Sequence, residues 1–239
     1  MLNGISSHWR SALKPALPWL TLVTLLNAWA LRSQLVSAST PPELTLNWID
    51  LAAAAVGLIA GSSIAVTWHQ FILRDMPLAS VPVFRLDGTV WRYLGRIISI
   101  VAICFLPLLA LMVALEFAPL LLMPLILALL IQLAVFGYRM SLTLPAVALG
   151  DKTLSIKQAL EITRGNNLRI LALICLTVLL LMVGLILFVS LVGVLKTAAP
   201  VAAQIVVIIL GIPVLFFNTL LTSNLLTSLY GFFVERRDF

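Results

Sequence analysis

Few side chains in this sequence could do chemistry. His69, beside Trp68, is the best titratable candidate, since an imidazole can relay a proton or ligate a metal. His8 is the other histidine, and no cysteine or carboxylate accompanies either at ligand spacing. A hydrogen-bonding histidine at a membrane interface is therefore the favoured expectation. Glu116 is the single acidic residue between Arg96 and Asp151, and a carboxylate inside a membrane is a functional group by default. Its place in the tight turn Glu116-Phe117-Ala118, just before Pro119, puts it instead near headgroups and water. Near the C-terminus, Asn218 and Thr222 share a helical face, Asn224 sits close by, and Pro213 removes a backbone donor upstream. With Gln204 they could line a polar cavity. They could equally form interhelical hydrogen bonds worth about 0.6–2 kcal/mol each, and packing is preferred.

The sequence contains no Ser-His-Asp set, P-loop, HExxH motif or facing pair of carboxylates, so it offers no catalytic, metal or cofactor residue. Cys104 and Cys175 lie in apolar stretches without partners, where a free cysteine acts as a small hydrophobe.

The elements that must position these groups are apolar almost throughout. Of 239 residues, 62% are hydrophobic and 10% charged, against roughly 25% charged in soluble domains. The runs match the ~20 residues needed to cross a ~30 Å hydrocarbon layer. They predict an all-α transmembrane bundle of one integral membrane domain, 1–239, with six spans at 15–36, 48–73, 94–115, 119–138, 168–195 and 200–233. Arg10 and Lys14 precede the first run and Ala28-Trp29-Ala30 loosely resembles a cleavage site, yet the expectation is that this span is retained.

Thirteen of the fifteen Lys and Arg residues fall on one side of this topology, leaving Arg32 and Lys196 on the other. The positive-inside rule makes the rich side cytoplasmic and puts both termini there. A formal charge of +6 could indicate nucleic acid in a soluble protein. Here the basic residues hug helix ends, where they snorkel to lipid headgroups, and no nucleic-acid partner is expected. Trp68, His69, Arg74, Arg92, Arg96, Arg139, Arg164 and Arg169 are the candidates for contact with headgroups or a partner.

The loops on the far side are short, and those on the basic side have character. Residues 154–164 predict a short amphipathic helix, with Ser155 and Gln158 as a capping box, Ile156, Ala159, Leu160 and Thr163 on one face, and Gly165-Asn166 as the stop. It could lie in the headgroup interface or pack on the bundle as an elbow. Gly57 and Gly61 form a small-xxx-small pair that allows close helix packing. A parallel repeat can be drawn from Trp68-His69 to Arg96 and from Tyr138-Arg139 to Arg169, although abundant Leu, Ile and Val carry most of the match.

Four short strings occur in order: Trp68-His69-Gln70-Phe71-Ile72-Leu73, Arg92-Tyr93-Leu94-Gly95-Arg96, Arg139 through Ala148, and Thr163-Arg164-Gly165-Asn166-Asn167. Over residues 60–190 the chain resembles a loose group of uncharacterised bacterial six-span proteins related to the membrane domain found beside glycerophosphodiester phosphodiesterases. The resemblance implies an all-helical inner-membrane fold with cytoplasmic elbow helices. It transfers no catalytic residue, because the hydrolytic chemistry of that group resides in a separate soluble domain. The function expected is that of a non-enzymatic accessory, assembly or scaffold subunit of the bacterial inner membrane, in contact with lipid and with a larger membrane complex or copies of itself. The alternative is a small transporter or channel using the Asn218–Thr222 face and helix breaks at Pro107 and Pro213.

Overall fold

The computed structural model describes residues 13, 16–27, 29, 48–76, 82, 84–115, 119–151 and 153–236. Helix dominates them: α1 (Ala16–Asn27), α2 (Trp48–Arg74), α3 (Gly88–Leu115), α4 (Pro119–Ser141), α5 (Thr143–Leu149), α6 (Ile156–Ile162), α7 (Asn167–Ala198) and α8 (Pro200–Phe233). Five stretches are long and apolar enough to cross a membrane, from α2, α3, α4 running on into α5, α7 and α8. At ~1.5 Å per residue, the 27 residues of α2 extend about 40 Å.

Helix α2 packs most extensively on α8, the sequence neighbours α3–α4 and α7–α8 pack on each other, and α1 joins both α2 and α8. A single residue, Ala199, separates α7 from α8, and Pro200 then begins α8 at a position where its missing N–H costs nothing. Pro107 and Pro213 lie inside α3 and α8, and both helices continue through them, so neither marks a break.

The core sits toward one end of the bundle. Trp19, Leu20, Ile64, Trp68, Phe216 and Leu220 join α1, α2 and α8. Val66, Val90, Tyr93, Met140, Ala148 and Leu226 join α2 and α3 to α4, α5 and α8. At the centre stands the C-terminal half of α2, where every residue from Ser62 to Gln70 is buried. A helix enclosed on all sides has no lipid-facing stripe. That enclosure corrects the expectation that Trp68 and His69 meet headgroups: they are 1% and 0% exposed.

Two differences from the sequence expectation matter for the site. Helix α3 begins at Gly88 rather than 94, because Asp87 caps it, its carboxylate accepting from the Val90 amide at 3.0 Å. Helix α5 forms within what the sequence presents as a connection. By contrast, the Ser155–Gln158 capping box is present in full ahead of α6. Ala159 of α6 and Thr163, which caps its end, are buried, while Ile156 and Leu160 pack on the core around Met140. The apolar face of α6 therefore covers protein.

Candidate functional site

A layer of polar side chains crosses the packed end of the bundle, with His69 at its centre. Thr227 on α8 donates its hydroxyl proton to the Ser223 carbonyl at 2.7 Å. With that proton committed, its oxygen accepts from Nδ1–H of His69 at 2.7 Å. Nε2 is then the acceptor for the Tyr93 hydroxyl of α3 at 3.2 Å. The network thus sets the tautomer. One imidazole joins three helices, α2, α3 and α8. The series ends on a main-chain carbonyl, which has no proton to pass on, so its geometry suits joining helices rather than conducting protons.

Next along α2, Gln70 and then Arg74 close the end of α5. A helix leaves four carbonyls without intrahelical partners at its C-terminus. In α5 the first two are taken by its own chain, Ala146 O by the Asp151 amide at 2.9 Å and Val147 O by the Gly150 amide at 3.0 Å. That closure requires the left-handed φ of 75° at Gly150, which glycine adopts without strain. The last two are taken by α2: Gln70 donates to Ala148 O at 2.7 Å, and Arg74 donates to Leu149 O. All four acceptors are satisfied, two of them by a helix about seventy-five residues away.

Gln70 also accepts from Arg85 at 2.7 Å. Arg85 in turn forks onto the Asp87 carboxylate, Nε at 2.9 Å and an Nη at 2.7 Å. Partial burial pushes the Asp87 carboxyl upward, but the hydrogen bonds from Arg85 and from the Val90 and Thr89 amides, with the Arg85 charge, outweigh it. The net effect holds Asp87 below the usual carboxylate range.

Arg139, at the end of α4, does for α6 what α2 does for α5. Its Nε donates to Thr163 Oγ1 at 2.8 Å, one Nη to Asn167 Oδ1 at 3.2 Å, and the other to the Leu160 carbonyl. The planar fork spans the end of α6 and the start of α7, a geometry a lysine cannot reproduce.

Several candidate residues take no part in this layer. Arg92 bonds within its own helix, to Gly88 O at 3.1 Å, and Arg164 and Arg169 are exposed. Arg96 is half-buried. These four lie at the surface, whereas Arg74 and Arg139 are committed to the fold. On α8, Asn218 is exposed, Thr222 half-buried and Asn224 buried, so the three do not share one enclosed face. The Gln204 side chain, Glu116 and His8 lie outside the described residues. A Cβ placed on Gly57 or Gly61 would meet nothing within 4 Å among the described residues, so no described helix makes a close approach there. The small residues enclosed on α2 are instead Ala60, Ser62 and Ser63. Among the described residues no group of three or more His, Cys, Asp or Glu is gathered to hold a metal.

Tyr93, Thr227, Gln70, Arg85 and Asp87 are the members of the layer that the candidate set omitted. Asp87 carried a usable signal, an aspartate just ahead of a long apolar run. Thr227 shows as a hydroxyl running beside the Asn218–Thr222 face, but its partner, like those of the others, lies on a distant helix and cannot be read from spacing.

The class so defined is an all-helical protein with five helices fit to cross a membrane, knit together by a polar layer at one end. No family model matches the chain, and neither a curated protein nor a solved structure does.

Proposed function

We propose that this chain is a non-enzymatic integral protein of a bacterial inner membrane, crossing it six times with both termini in the cytoplasm. It serves there as an accessory, assembly or scaffold subunit. The kinship with six-span proteins related to the phosphodiesterase-associated membrane domain belongs to the same proposal. The observation that carries it is where the polar groups are spent: His69, Gln70, Arg74 and Arg139 each bond to another helix or its end. Such groups rigidify a platform. What the platform presents outward is apolar helix on one side and, around the polar layer, the exposed Arg92, Arg164 and Arg169. Those surfaces suit lipid and the membrane segments of a companion.

The test is purification from the native membrane in mild detergent, followed by native mass spectrometry. A stoichiometric protein companion is the expected result. The 26.0 kDa chain carrying only lipid, or only copies of itself, overturns the subunit assignment. Thiol labelling of single cysteines placed at Arg92 and Thr197 tests the topology separately, with labelling expected from opposite sides of the membrane.

A further inference from the structure

Polar side chains on the outer faces of the long helices are mostly folded back on their own backbone. Ser99 donates to the Gly95 carbonyl at 2.8 Å, Thr21 to the Leu17 carbonyl at 2.8 Å, and Asn27 to the Val23 carbonyl at 2.7 Å. Asn218 of α8 departs from this pattern. Its side chain is exposed, and no hydrogen bond within the described residues holds it.

Its direction is set by the helix. Phe216 and Leu220 face the core that α8 shares with α1 and α2. Two residues turn an α-helix by about 200°, so Asn218 points away from that core. Val214 and Phe217 flank it at 45% and 52% exposure.

Its depth follows from the packed end. Tyr230 of α8 shares a cluster with Tyr138, the neighbour of Arg139, and Arg139 stands at the boundary. Asn218 lies twelve residues before Tyr230, about 18 Å along the axis at ~1.5 Å per residue. In a ~30 Å hydrocarbon layer that is near the middle, where a short side chain reaches neither boundary. Two other exposed polar groups are better placed. Gln132 stands seven residues from Arg139, about 10 Å, and its longer side chain can lean toward the headgroups. Ser190 has a hydroxyl that its own helix can take up, as it does for Ser99.

Acyl chains hold no donor or acceptor, so lipid leaves a carboxamide at this depth unsatisfied. The neighbour that satisfies it is protein with a polar group at the same level. Two copies of this chain meet that condition by construction. Copies inserted with one topology are related by an axis along the membrane normal, so each interface residue meets its counterpart at its own depth. A carboxamide carries donors and an acceptor together, and two of them close a reciprocal pair. A different chain would need a polar residue placed independently at that level.

We propose that α8 packs on α8 of a second copy, the two Asn218 carboxamides exchanging N–H···O bonds across a twofold axis. The proposal goes beyond the subunit assignment and needs only that the chain spans a membrane.

The experiment uses the full chain carrying Cys104→Ala, Cys175→Ala and Thr197→Cys, purified as donor-labelled and acceptor-labelled populations and mixed in phosphatidylcholine vesicles. Energy transfer is followed as the protein is diluted with lipid. Transfer is expected in the parent, and Asn218→Leu should shift its midpoint about tenfold toward higher protein-to-lipid ratio. Asn218→Gln keeps the amide and should restore association. In parallel, Val214→Cys replaces Thr197→Cys with Asn218 retained. A disulfide between chains is expected there, and adding Asn218→Leu should suppress it. Absence of transfer at every dilution overturns the proposal, as do transfer and cross-linking that ignore Asn218→Leu. Loss of a different protein from the native-membrane purification on Asn218→Leu would seat a companion on this face and overturn the second copy. The subunit assignment fails or stands separately, on whether a companion accompanies the parent chain, and the membrane assignment on the thiol-labelling topology.

Discussion

His69 and Thr227, 158 residues apart in the chain, meet at 2.7 Å where α2 and α8 cross. The bond has a direction, because the Thr227 proton is already given to Ser223. That direction leaves the second ring nitrogen as an acceptor, and Tyr93 supplies the donor. A single side chain thereby fixes the azimuth of three helices.

This asymmetry predicts an order of effects. Thr227→Val leaves the Nδ1 proton buried without an acceptor, whereas Tyr93→Phe removes a donor from a longer bond and leaves a bare acceptor. Unpaired buried donors are the costlier case, at about 1–3 kcal/mol, tempered in membranes toward about 1 kcal/mol. Thr227→Val is therefore expected to destabilise more than Tyr93→Phe in denaturant titrations of the detergent-solubilised protein. The reverse order would show the opposite tautomer.

Arg139→Lys tests the fork that holds α6. A lysine keeps the charge but replaces a planar set of donors with one compact ammonium, and hydrogen bonds to charged groups are worth about 1.5–3 kcal/mol each. The seven-residue α6 is too short to stand alone. Hydrogen exchange across Ile156–Thr163 is expected to accelerate in the variant, with exchange in α8 unchanged. Equal acceleration throughout would mean that Arg139 supports the bundle as a whole rather than its elbow.

The long helices were legible because length and apolarity alone announce them, and residues around Ser155 were legible because a capping box is a local signal. Helix α5 was not. Its residues Thr143–Leu149 are as apolar as the end of α4, and nothing in composition separates them; only the turn at Leu142 does. The central role of α2 was hidden for a related reason. Ser62, Ser63, Thr67 and Gln70 read as a weakly polar helix end, and their burial depends on three neighbouring helices arriving there. His69 stands out in the sequence as one of two histidines, yet its partners Tyr93 and Thr227 are hydroxyls that sequence spacing cannot pair.

Gly150 is where α5 depends on glycine. Its φ of 75° costs an L-residue about 1–2 kcal/mol. Gly150→Ala should lower the thermal midpoint, and Gly150→Asn should lower it less, since asparagine visits this region more readily. The space around Gly150 is open, with nothing within 4 Å of a built Cβ, so the difference isolates backbone conformation from crowding. Equal losses for the two variants would point to something other than φ.

Asp87 gives the layer an acid limit. Its carboxyl is held below the ordinary range in the fold, so it binds its proton less readily folded than unfolded. The stabilisation is then fully present above the unfolded value of about 3.9 and is lost as pH falls through the lower folded value. Because Asp87 is 46% exposed, solvent and salt screen the Arg85 pair, and the effect is modest. Asp87→Asn should lower stability at neutral pH, and the gap between variant and parent should close as the solution is acidified below about pH 4. Following both by tryptophan fluorescence across pH, at low and high salt, checks the sign. A gap that widened on acidification would mean that Asp87 is raised rather than lowered, and that the Arg85–Asp87 fork does not close the α3 end in solution.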